Sequence, residues 1–106
     1  AVVMPAWMEY VCGHDPMRFA RFAINVFGCE MDYAHPERTA QAGIRRLREF
    51  FRALHMPAAL EELGGKAEDI PAMVAHRAEK PNGFPFGGFV KIHEADMEAI
   101  LRRCGA

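Results

Sequence analysis

The sequence predicts an all-α fold, a small helical bundle of about five to six helices forming a single unit over residues 1–106. Three observations predict it. Apolar residues recur at steps of three and four in successive stretches, which places them on one face of a helix. Proline and acidic residues stand where several of these stretches begin, and glycine stands where several end. The chain has 106 residues, 51% of them hydrophobic, including eight Phe and seven Met, which is enough apolar material for one core.

Taken in order, Ala1 to Cys12 reads as a helix that is apolar on most sides, with Pro5 near its start or at a kink and Gly13 ending it. Asp15-Pro16 reads as an N-cap followed by a first-turn proline. Phe19, Phe22, Ala23 and Val26 form the stripe of the second helix, and Gly28 stops it. Cys29 to Ala34 is a connector. His35 to Leu54 is the longest clean helical pattern, with Ala40, Ile44, Leu47, Phe51 and Leu54 on one face and Arg38, Arg45, Arg48, Glu49 and Arg52 mostly on the other. The other helices are expected to pack against it. His55-Met56-Pro57 is a break. A short helix over Ala58 to Leu63 ends at Gly64-Gly65. Another starts at Glu68-Asp69-Ile70-Pro71, with Ile70, Met73, Val74 and Arg77 inward, and ends before Pro81. Pro81 to Gly88 is a loop of three Gly, two Pro and an Asn. Its Phe84 and Phe86 are expected either to pack back onto the protein, the favoured reading, or to face a pocket or partner. The last helix, about Glu94 to Cys104, carries Met97, Ile100, Leu101 and Cys104 on one stripe.

The charge balance excludes one function class. Thirteen basic and 14 acidic residues give a net charge of −1, without the basic excess of a dedicated nucleic-acid binder. The five Arg between Arg38 and Arg52 are read as a solvated face. Cys12, Cys29 and Cys104 form no CxxC, and an odd number makes no disulfide framework, so buried thiols in a reducing, cytoplasmic setting are expected. No apolar run reaches the roughly 20 residues that a membrane span needs. AVVMPAWM has no basic leader and no initiating Met, and the chain reads as cut from something longer.

Chemistry-bearing patterns are sparse. His14, His35, His55, His76 and His93 are never paired at helical ligand spacing, and there is no HExxH. The chain has no serine, and its one threonine is Thr39. Nothing in the sequence places a base beside a cysteine. Gly64-Gly65 and Gly87-Gly88 lack the residues that make a phosphate loop or dinucleotide turn. No catalytic, cofactor-binding or metal-ligating residue is assigned within the chain.

Four passages nonetheless carry a resemblance. They are Pro5-Ala6-Trp7-Met8 with Tyr10, the run Leu47 to Pro57 followed by Leu60-Glu61-Glu62-Leu63-Gly64, Glu68-Asp69-Ile70-Pro71, and Gly88-Phe89-Val90-Lys91-Ile92 with Asp96 and Ile100. In this order and spacing the chain resembles the C-terminal part of the iron-containing alcohol dehydrogenases, in their butanol-dehydrogenase-like branch.

The resemblance implies a piece of the helical metal-binding domain of a two-domain dehydrogenase. The parent is expected to use NAD(P) and a divalent metal, iron or in some members zinc, to interconvert alcohols and aldehydes. The family's glycine-rich cofactor turn and its aspartate and three histidine ligands match no position here, so the chain alone is expected to be inactive. Phe84 and Phe86 fall in a region that can border the substrate channel. The expected partner is the rest of the parent polypeptide, with self-association through an exposed apolar helix at Val2–Val11, and neither nucleic acid nor membrane. The competing reading is a free-standing helical interaction module that binds through Met4, Trp7, Met8 and the Phe-rich loop.

Overall fold

Five α-helices and three 3-10 turns carry the chain in a computed structural model that describes residues 1–81 and 83–104. The helices are α1 (Val3–Val11), α2 (Pro16–Phe27), α3 (Pro36–Ala53), α4 (Ile70–Ala78) and α5 (Glu94–Arg102). The fold class is all-α, as the sequence predicts. The sequence offers no internal boundary, whereas the backbone groups into two compact units, 1–58 and 59–106.

In the first unit α3 packs along α2 and against α1. Gly43 decides how closely: a Cβ there would lie 2.4 Å from Ala23 Cβ, so only a glycine lets the α2 and α3 backbones approach this far. Ala20, Ala23, Ala40 and Ile44 are fully buried around this contact. The helix ends follow their signals. Asp15 Oδ1 accepts a hydrogen bond from Arg18 N at 3.3 Å, with Pro16 in the first turn. Gly28, at φ 67°, closes α2 in the left-handed conformation, with its N–H on Ile24 O and that of Cys29 on Ala23 O.

Several local expectations are corrected. Gly13 does not end α1, which runs on into a 3-10 turn at Cys12–His14. Val26, placed on the α2 stripe by its spacing, is 60% exposed, because Ala20 takes the inward position instead. Leu54 is also exposed, lying beyond the last turn of α3. Most of the apolar side chains of the opening helix are covered within this unit: Val2, Pro5, Ala6, Met8 and Val11 are buried, and Trp7 sets its ring edge-on to Phe19 at 6.2 Å. Only Val3 and Met4 of this helix stand as large exposed apolar side chains. Arg48 lies not on a solvated face but in a partly buried ion pair with Glu9 that ties α3 to α1.

Two further features of this unit carry no sequence signal. Buried Thr39 accepts a hydrogen bond from Asp32 N at 2.8 Å and donates to Glu30 O, which pins the α2–α3 connector. His55 ends α3 at φ 59°, a left-handed conformation that usually falls to glycine, with Met56 N donating to Phe51 O.

The second unit has a thinner core of Leu60, Ile70, Ile92, Ile100, Leu101 and Cys104. The expected short helix before Gly64 is a 3-10 turn, Leu60–Leu63, and Leu60 N donates to Cys104 O at 2.7 Å, joining it to the end of α5. A second 3-10 turn, Ala67–Asp69, leads into α4, which packs on α5. Asp69 and Asp96 each accept a hydrogen bond, from Lys66 N and His93 N respectively, and so fix the two helix entries. The expected loop holds one element of regular pairing, an antiparallel bridge between Phe86 and Ile92. Asn82 of that loop lies outside the described residues.

Candidate functional site

The chemistry of the second unit gathers on one face of α4 and on the loop that follows it. Asp69, Ala72, Met73, His76, Arg77 and Lys80 repeat at steps of three and four, and with Met97 of α5 they line a groove of about 570 Å³. Ala72, Met73 and Met97 give the lining its apolar part. The same lining carries one acid at the helix entry and three basic side chains toward the exit. This polarity follows the helix dipole, which favours acids at the start and bases at the end. The size falls in the range of small-molecule pockets.

Arg77 links this groove to the Phe-rich loop. Its Nε donates to Gly83 O at 3.2 Å, and its guanidinium carbon lies 4.4 Å from the centre of the Phe86 ring. That distance is within cation–π range. Phe84 and Phe86 meet each other at 5.7 Å with a 41° tilt, and both are half-buried. The structure therefore packs both rings back onto their own unit while leaving part of each accessible. Gly83 is buried, and a Cβ on it would meet Arg77 O at 2.7 Å. Gly87, at φ 101°, supplies the left-handed residue that lets Phe86 turn back to pair with Ile92. The two main-chain bonds of that pair, Phe86 N to Ile92 O and Ile92 N to Phe86 O, measure 3.0 and 2.6 Å.

The remaining candidate groups stay apart. His14, His35, His55, His76 and His93 are all exposed. His35 Nδ1 lies 3.2 Å from Glu37 at the start of α3. Among the described residues no three His, Cys, Asp or Glu side chains stand together as metal ligands. The side chains present thus do not compose a metal centre by themselves. Burial, followed by the nearby Glu37 charge, pushes the Cys12 thiol upward, keeping it in the neutral, weakly nucleophilic form. A smaller hollow of about 270 Å³ in the first unit is lined by Phe27, Arg46, Glu49, Phe50 and Ala53. What these parts can do is bind and shape: apolar and basic side chains on one helix face and an aromatic pair offer contacts to a small molecule or a side chain.

The sequence singled out Phe84 and Phe86 but not the residue that holds them. In the sequence Arg77 reads only as the last residue of the inward face of α4. Its acceptor is a main-chain carbonyl six residues on, across a loop whose path the sequence does not specify.

Comparison with known proteins places the whole arrangement. The model of the Fe-containing alcohol dehydrogenase family, C-terminal, matches residues 1–105. NADH-dependent butanol dehydrogenase A of Clostridium acetobutylicum is 31% identical over 105 residues, 97% of this chain and 26% of that protein. A probable NADH-dependent butanol dehydrogenase 2 of Bacillus subtilis is 29% identical over 104 residues, 96% of this chain and 26% of its own. The crystal structure of NADH-dependent butanol dehydrogenase A from Thermotoga maritima superposes with a TM-score of 0.85 at 30% identity, over 98% of this chain and 27% of that one. The chain thus spans about a quarter of the length of these relatives. With residues 1–105 matched in sequence and its helices matched in space, the chain belongs to the Fe-containing alcohol dehydrogenase family, of which it carries the C-terminal helical part.

Proposed function

We propose that this chain serves as the C-terminal helical portion of a metal-dependent, NAD(P)-linked alcohol dehydrogenase that also reduces aldehydes, and that residues 1–106 by themselves are inactive. The observation that carries this reading is the match along practically the whole chain to one contiguous quarter of longer dehydrogenases. The relatives' names favour NADH as the nicotinamide and a short primary alcohol such as butanol as a substrate. The family's description favours iron. When bound in the parent, such a metal would supply Lewis-acid chemistry at the substrate oxygen and the nicotinamide would supply or accept hydride, and this chain offers no ligand cluster for the metal among its described residues. In this proposal metal and nicotinamide bind to the rest of the parent polypeptide, a reading supported by the match to only a quarter of the relatives' length.

The work left to this chain is support and shaping. The first unit supplies a closely packed helical scaffold. The second presents Phe84 and Phe86 as substrate-channel wall, and replacing both with Ala in the parent raises KM for aldehyde. Unchanged kinetics would remove that assignment. Self-association of the isolated chain through its opening helix narrows to Val3 and Met4, and Val3→Ser with Met4→Ser abolishes it in light scattering. A second reading as a free-standing interaction module through Met4, Trp7, Met8 and the Phe-rich loop is weakened at Met8, which is 3% exposed.

The test compares two proteins: residues 1–106 alone, and the complete reading frame that contains them. Each is loaded with ferrous iron and assayed for NADH oxidation with butyraldehyde. The complete product turns over and the isolated chain does not. Turnover by residues 1–106 alone, or none by a folded, iron-loaded complete product with either nicotinamide and a series of aldehydes, would contradict the proposal.

A further inference from the structure

We propose that Arg77 is a positioning residue for substrate, setting the place of the Phe84–Phe86 pair by gripping the loop at two points. The inference rests on the reading of those two rings as channel wall, and its test separates the two ideas.

Three observations converge on this side chain. Its Nε holds the loop's first turn through Gly83 O at 3.2 Å. Its guanidinium face covers Phe86 at 4.4 Å. Gly83 sits so close to the end of α4 that a Cβ would come within 2.7 Å of Arg77 O, so glycine is what lets the gripped carbonyl come this near. The main-chain pairing with Ile92 fixes the backbone of Phe86 itself. Phe84 has no such pairing in the ladder. It is placed by its 5.7 Å contact with Phe86. Position is therefore passed from α4 to Arg77, to Phe86, and from there to Phe84.

The chemistry requires arginine. A planar guanidinium can donate along its edge to a carbonyl while its face rests on an aromatic ring. A lysine ammonium keeps the charge but has no plane, so it serves one contact at the expense of the other. An aliphatic side chain keeps the stem and loses both.

The experiment uses the complete polypeptide and three variants, Arg77→Ala, Arg77→Lys and the Phe84→Ala/Phe86→Ala double. Two readouts are taken: amide hydrogen exchange along 83–92, and kcat and KM for butyraldehyde. Arg77→Ala speeds exchange at Phe86 and Ile92 about tenfold while Ile100 and Leu101 keep their protection, as expected for losing two modest contacts on one loop. The same variant raises KM several-fold and changes kcat by less than about twofold, because the chemistry lies elsewhere. Arg77→Lys recovers part of both effects. Unchanged exchange at Phe86 and Ile92 in Arg77→Ala would overturn the grip. Faster exchange with unchanged KM would overturn the link to substrate. A raised KM in the double variant alone would leave the channel wall standing and overturn Arg77's role. An unchanged KM in the double variant would instead remove the channel-wall reading on which the role depends.

Discussion

The two units of this chain are held in different ways. In the first, helices lie against one another with almost no space between them: Gly43 on Ala23, and Ala20, Ala40 and Ile44 fully buried beside that contact. In the second, α4 and α5 share a thin core, and much of the order comes from single ties, Leu60 N to Cys104 O, the Phe86–Ile92 pair and the Arg77 grip. Tightly packed helices resist local change and make a scaffold. A loop held by a few contacts can be adjusted residue by residue, and functional contacts gather on such segments. In the proposed function, this difference corresponds to a division between support and shaping.

Substitutions in order of expected effect put that difference at risk. Ile44→Ala removes a fully buried side chain at the helix crossing and costs about 3 kcal/mol in chemical denaturation. A loss below about 1 kcal/mol would mean the crossing is not tightly packed. Gly43→Ala sets a methyl against the α2 backbone and costs about 2 kcal/mol, since the clash is with Ala23 itself and not with a flexible side-chain end. Thr39→Val keeps the shape but removes the acceptor for Asp32 N, costing about 1–2 kcal/mol, with faster exchange at that amide. Gly83→Ala is the counterpart of Gly43→Ala in the second unit. Its cost is about 1 kcal/mol, and it is confined to amides of the 83–92 loop because a loop can shift where a helix crossing cannot. If Gly83→Ala instead loosened α4 and α5 throughout, the second unit would be as tightly coupled as the first. The smallest effect has the opposite sign: His55→Gly relieves a left-handed non-glycine residue and stabilises by about 0.5–1 kcal/mol, seen as a raised Tm.

Legibility in the sequence followed the range of the interaction. Asp15-Pro16, Gly28 and Pro36 act within one turn, and each marks a helix end where the sequence places it. Ala40, Ile44 and Leu47 repeat along one helix, and their burial follows. The burial of Met8 and the Trp7–Phe19 contact depend on partners from later in the chain, which a local pattern does not show. Glu9 with Arg48 escaped notice for the same reason, since 39 residues separate them. His55 ends a helix where the usual signal is glycine, so its side chain concealed its backbone. At the candidate site, Phe84 and Phe86 were visible as aromatic residues out of place in a glycine-rich loop. Arg77 was not, because its carbonyl acceptor exists only once the loop has folded back. The family, by contrast, was carried by ordered short passages over the whole chain, and the matched relatives bear it out.

The central claim is that this helical portion works within a longer dehydrogenase, and reading the coding sequence immediately upstream of Ala1 tests it most directly. The account predicts an open frame that runs on through an aspartate and three histidines, with a glycine-rich strand–helix turn further up. A stop codon in frame just before Ala1 would contradict it.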